Sequence, residues 1–158
     1  MRLLFRFISV NVLIALSAAV IVHAQTDVTM QSAIESKAYT FIAQSASPQT
    51  GGIIRLTGGI TYTLKVNGDT LVCDLPYYGR AYNATYGGDA GLKFTSVKFE
   101  HKVKTKKKGR WDVHIRTKDL TTNRDLWLTI FENGSTTVNV SSSDRQAINY
   151  QGDVVVKK

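Results

Sequence analysis

The chain has 158 residues, with 20 Lys and Arg against 12 Asp and Glu, for a formal charge of +8 with His neutral. That length fits one domain around one core. A single Cys excludes an internal disulfide framework and any Cys-based zinc cluster, and 43% hydrophobic with 20% charged residues excludes a disordered chain.

Residues 1–24 read as a secretory signal peptide. Arg2 and Arg6 form the positive start, Leu3, Leu4, Phe5 and Val12 to Leu16 carry the apolar run, and Val22-His23-Ala24 supplies the small-residue end. The cut is expected between Ala24 and Gln25, which leaves a single domain of 134 residues, 25–158, and takes the charge from +8 to +6. The alternative is an uncleaved anchor. A span needs about 20 apolar residues, and Arg6, Ser9, Asn11 and Ser17 interrupt this run. No Cys stands at the cut; the only one is Cys73. The expectation is a soluble exported protein, periplasmic or secreted, and not a lipoprotein.

Met30, Ala33, Ile34 and Phe41 follow a helical period, and Thr29 can cap its start, so a short helix near Met30 to Ser36 is expected. It runs into a strand in which Tyr39, Phe41 and Ala43 alternate with Thr40, Ile42 and Gln44. Ser45 to Gly59 reads as a loop, with Pro48, Gly51-Gly52 and Gly58-Gly59 around a short Ile53 to Leu56 run.

Three hairpins follow. In the first, a two-residue Asn67-Gly68 turn sets Leu64 opposite Leu71 and Tyr62 opposite Cys73, so Cys73 reads as a small buried hydrophobe. In the second, a Lys107-Lys108-Gly109 loop pairs Val103 with Val113 and His101 with Ile115 inside. Outside it sets Lys104 against Asp112 and Glu100 against Arg116. The third turns at Asn133-Gly134 with two registers open: Trp127 opposite Val140, or Leu128 opposite Val140. Its first strand is apolar on both sides, and the amino-terminal helix is the expected cover for the second face. A last strand passes through Ile148, Tyr150 and Val154, bent near Gly152. Eight or nine short strands with one short helix make an all-β fold, an antiparallel up-and-down barrel or a strongly curved sheet.

Tyr77, Tyr78, Arg80 and Tyr82, with Tyr86 nearby, form the densest candidate site. Aromatic faces, hydroxyls and a planar guanidinium suit a sugar, a carboxylate or a peptide. The competing reading is a structural corner in which the rings pack over a barrel end. His101 lies on the apolar face of its strand, either lining a cavity or held as a neutral core histidine. Lys102, Lys104, Lys106, Lys107, Lys108 and Arg110 crowd one hairpin. With Lys106, Lys107, Lys108 and Arg110 at the tip they fit an anionic surface, or serve as a solvated tip that keeps the hairpin off other strand edges. Export and the absence of interleaved aromatics argue against nucleic acid. Asn83, Asn133 and Asn139 begin glycan-acceptor spacings.

The stretch Leu75-Pro76-Tyr77-Tyr78-Gly79-Arg80-Ala81-Tyr82, then Gly91-Leu92-Lys93-Phe94, then Asn133-Gly134-Ser135, then Ser143 to Gly152 together resemble an exported family of Bacteroidetes proteins carrying a domain of unknown function, DUF4251. The likeness runs from about Glu35 to Val155. It implies a secreted or envelope protein with a β-rich, lipocalin-like fold, and it implies no activity. Some relatives look lipid-anchored, a feature not expected of this chain because its expected cut site has no Cys.

No His-Glu-x-x-His, nucleophile elbow, phosphate loop or dinucleotide fingerprint is present. No cofactor or metal is expected, and the chain is read as a non-enzyme. The leading expectation is an exported binding module for a small apolar or glycan-like molecule at the barrel mouth. The alternative is a structural or interaction protein of the envelope with a filled core.

Overall fold

The computed structural model describes residues 29–82 and 91–156. The signal-peptide reading, with its cut between Ala24 and Gln25, lies outside these residues, as do Asn83 and Tyr86.

Helix α1 spans Met30–Glu35. The Thr29 hydroxyl accepts the Ser32 N–H at 3.2 Å and starts it. Lys37 stops it by taking a left-handed φ of +55°, and the Lys37 carbonyl then accepts the Gly68 N–H at 2.9 Å. Ala33 and Ile34 are fully buried, so this turn and a half of helix plugs one end of the molecule.

The strands are β1 (Ala38–Pro48), β2 (Ile54–Arg55), β3 (Tyr62–Asn67), β4 (Thr70–Leu75), β5 (Leu92–Ser96), β6 (Phe99–Lys106), β7 (Arg110–Thr117), β8 (Arg124–Phe131), β9 (Ser135–Ser142) and β10 (Arg145–Val155). Nine of them form one antiparallel sheet in the order β5-β4-β3-β1-β10-β9-β8-β7-β6, and the short β2 pairs with β1. The two edges, β5 and β6, are consecutive in the chain and joined by Val97-Lys98. Eight antiparallel steps separate them, so they run in the same sense and the chain passes directly from one edge of the sheet to the other. The sheet curls far enough for non-neighbouring strands to meet inside. The Tyr39 hydroxyl of β1 lies 3.0 Å from His101 Nε2 of β6, and Lys37 Nζ stands 5.7 Å from the Phe99 ring centre. The expected up-and-down arrangement is present as a strongly curled half-barrel.

The inner face is packed. Phe41, Leu64, Leu75, Ile115, Leu128 and Tyr150 have essentially no exposure, each stabilising the fold by about 1.5–3 kcal/mol. Cys73 is buried among them, and burial pushes its thiol up. Along β1 the inward set is Tyr39, Phe41 and Ala43, then Ala46 and Pro48, because the register with β10 shifts between Ala43 and Ser45. The strand therefore continues through a bulge to Pro48, where a loop was expected from Ser45. Facing the bulge, Gly152 pairs with Ala43, and a Cβ there would overlap the Ile42 carbonyl oxygen.

The second hairpin has the expected register, including Val103 with Val113, His101 with Ile115, Lys104 with Asp112 and Glu100 with Arg116. The first is displaced by one pair. Its tip is Gly68-Asp69, with positive φ at Gly68, so Leu64 faces Cys73 and Val66 faces Leu71. In the third, Leu128 faces Val138 and Ile130 faces Thr136 around a tip centred on Asn133, a register that neither expected alternative describes. Its inward set, Leu126, Leu128 and Ile130 with Val138 and Val140, has the parity of the three-residue alternative. Helix α1 does not cover the outer side of β8. It lies at the end of the sheet, with Met30 beside Gly134, and leaves Trp127 and Phe131 exposed at 53% and 42%.

Candidate functional site

Residues 76–82 leave β4 and cross to the turn between β9 and β10. Buried Tyr150 donates its hydroxyl to the Pro76 carbonyl at 2.6 Å. The Tyr77 hydroxyl lies 2.9 Å from the carbonyl oxygens of both Arg80 and Gln146, and Arg145 stands 4.9 Å over the Tyr77 ring. The Gln146 N–H donates to the Arg80 carbonyl at 2.9 Å, the Arg80 N–H to Gln146 Oε1 at 3.3 Å, and the Tyr82 N–H to the Asp144 carbonyl at 2.8 Å.

Beneath this latch lies an ion network. Arg124 reaches Asp144 with two nitrogens, each at 3.1 Å, the fork geometry that suits a carboxylate. Ser142 donates to Asp144 at 2.5 Å and Arg145 Nε stands 3.4 Å away. Burial works to raise the Asp144 carboxyl, but the Ser142 bond and the Arg124 and Arg145 charges outweigh it and hold the group below the usual carboxylate range. Burial lowers Arg124 and raises Tyr77.

The tyrosine-arginine block is therefore brought together as a corner, and it is its backbone that is bound. The Arg80 side chain is exposed, as are Tyr78 and Tyr82, and only Tyr77 turns into the latch. Tyr78, Arg80 and Tyr82 face away from the interior, and Tyr77 packs against the edge of the core. His101 does not join them. It points inward from β6 onto Tyr39, half-buried, and desolvation first and the Lys37 charge second lower it to about 4. Burial pushes Tyr39 up, so the pair is neutral near pH 7.

The basic hairpin lies on the outside. Asp112 is met by Lys106 at 3.9 Å and Arg110 at 3.4 Å rather than by Lys104. Glu100 is met by Lys102 at 3.0 Å and by Lys118, which draws its carboxyl down to about 2 through those hydrogen bonds. Asp119 accepts from the Ser96 hydroxyl at 2.5 Å and from the Val97 and Lys98 amides at 2.8 and 3.2 Å, and the Ser96 bond leads in lowering its carboxyl. It thereby pins the β5–β6 junction.

The family model for the domain of unknown function DUF4251 matches residues 22–154. The chain belongs to the DUF4251 family. Its fold is similar to the crystal structure of a DUF4251 family protein from Bacteroides eggerthii, with a TM-score of 0.59 and 16% identity over 80% of this chain and 84% of that one. No curated protein matches the chain. Among the described residues of this DUF4251 protein, no helix is long and apolar enough to cross a membrane.

Sequence reasoning missed Asp144, Arg145 and Gln146 as the partners of the tyrosine block, Arg124 as the partner of Asp144 beneath it, and Asp119 as the staple of the β5–β6 junction. The Ser143-Asp144-Arg145-Gln146 segment carries the resemblance alongside Tyr77 and Arg80, and that co-occurrence is the one available signal that the two stretches meet.

Proposed function

We propose that this DUF4251 protein is an exported, non-catalytic interaction module of the cell envelope, working through its outer surface and holding no small molecule within its sheet. The observation that carries this reading is the filled interior. Phe41, Leu64, Leu71, Ile115 and Tyr150 occupy the space that a lipocalin-like ligand would need. The perturbed titratable groups add support, since Asp119, Asp144, Glu100 and His101 each engage a structural partner rather than converging on one cleft.

Native mass spectrometry of the protein recovered from its own cell envelope tests this. The expected result is one mass, that of the bare chain beginning at Gln25, under both native and denaturing conditions. A reproducible small-molecule adduct that survives detergent washing of surface lipid and disappears on denaturation would overturn it.

A further inference from the structure

The outer face of β6, β7 and β8 carries aligned rows of side chains. Lys102, His114 and Trp127 are successive cross-strand partners, and so are Lys106, Arg110 and Phe131. Trp127 and Phe131 both point outward, four residues apart and thus about 13 Å from each other along the strand. A column of lysines on the β6 edge therefore lies two strands from a column of two exposed aromatics on β8, with Arg110, Asp112 and His114 of β7 between them. Between the two hairpin tips lies an open groove of about 480 Å³, lined by Lys108, Gly109, Phe131, Glu132, Asn133 and Ser135.

The carboxylates of this face are largely spoken for. Asp112 is met by Lys106 and Arg110, Glu100 by Lys102 and Lys118, and Asp125 by His114 at 2.8 Å and Arg116 at 3.7 Å. Among the described residues, Lys104, Lys107 and Lys108 have no carboxylate partner, and Glu132 is the acidic residue beside them. The tip therefore presents net positive charge beside the exposed Phe131 ring, with Trp127 further along the same strand.

We infer that this face docks on an anionic phospholipid bilayer, with Lys104, Lys107 and Lys108 at the phosphates and Trp127 and Phe131 in the headgroup layer. The inference rests on the reading of the protein as an outer-surface module and names its partner. Lysines are drawn to an anionic leaflet, and Trp favours the boundary between water and acyl chains. Base or sugar stacking suits Trp127 less well. His114 already covers one face of the indole, with ring centres 3.8 Å apart and planes within 11°.

The two tryptophans make the test direct. Trp111 is buried and Trp127 is exposed, so a change in emission on docking reports Trp127. The exported chain is mixed with vesicles of phosphatidylcholine alone, or with equal phosphatidylglycerol. Sedimentation with the anionic vesicles only, weakening with added salt, and a blue shift of emission are expected. Replacing Lys104, Lys107 and Lys108 together by Gln loosens binding about a hundredfold, since each lysine contributes about fivefold. Its circular dichroism melt stays that of the parent. Trp127→Phe removes the blue shift while keeping most of the binding. The inference is overturned by equal binding to neutral vesicles, by no binding to anionic ones, by undiminished binding of the triple variant, or by capture on heparin or single-stranded DNA without vesicle binding. A failure here with a bare native mass leaves the outer-surface reading standing, whereas a small-molecule adduct removes that reading whatever the vesicles show.

Discussion

The Tyr39 hydroxyl and His101 Nε2 meet at 3.0 Å although their strands, β1 and β6, share no ladder. The groups facing the imidazole are Tyr39, which keeps its proton, and Lys37, whose charge adds to burial in lowering it from 6.5 to about 4. The folded value lies below the unfolded one, so the unfolded chain binds more protons between them. The pair's contribution is complete above about pH 6.5 and is lost as pH falls toward 4. The full shift corresponds to about 3 kcal/mol, which solvent at a half-buried ring reduces to about 1–2 kcal/mol. NMR titration should place the His101 midpoint near 4, and His101→Gln should flatten the fall in Tm across that window. A midpoint near 6.5 would contradict this.

The latch assigns unequal weights to neighbouring residues. Arg80→Ala should change stability by no more than about 0.5 kcal/mol, because only its backbone is bonded. Tyr77→Phe loses the hydroxyl to the Arg80 and Gln146 carbonyls and should cost about 1 kcal/mol. Asp144→Ala strands Arg124 in a largely buried site and should cost about 3 kcal/mol. Urea midpoints of the three variants test the ranking, and an Arg80 variant as damaged as the Asp144 one would reverse it.

Gly152→Ala puts a methyl group into the Ile42 carbonyl at the β1–β10 bulge. Backbone atoms on both sides must separate, so a loss of about 3 kcal/mol is expected. Thermal melts of this variant and of Gly52→Ala, where a Cβ meets nothing, provide the comparison.

Asp119 holds the Val97 and Lys98 amides at the point where the chain changes edges. Asp119→Ala should release those two amides, seen as fast hydrogen exchange at Val97 and Lys98 while β8 to β10 stay protected. Its carboxyl is lowered in the fold, so the same release should appear in the parent as pH falls below the usual carboxylate range.

The faces of nearly every strand were legible as alternation, but register was legible only where charges broke a degeneracy. Sliding a strand by two residues keeps every apolar side chain facing inward, so Leu64 accepts Leu71 or Cys73 equally well, and the first hairpin was misplaced by one pair. In the second, Lys104 with Asp112 and Glu100 with Arg116 distinguished one slide from another, and the register held. The end of β1 was hidden because its bulge moves the inward set from odd to even positions after Ala43, which reads as a loss of pattern. The corner beyond β4 was legible as aromatic and turn-rich, but its partners lie more than sixty residues away, at Asp144 to Gln146, and no local periodicity reports such a contact.

In the strand order β1 stands between two local meanders, β3-β4-β5 on one side and β6 through β10 on the other. It is translated before all the other strands, yet its partner β10 is translated after all of them, so the Phe41–Val154 pairing closes a loop of over a hundred residues. Each meander can zip from its own turns, but joining them carries the entropic cost of that long closure. The rate at which a nascent chain reaches its native state should therefore be governed by when β10 arrives, and removing β10 should leave two separate sheets, neither able to bury its inner face.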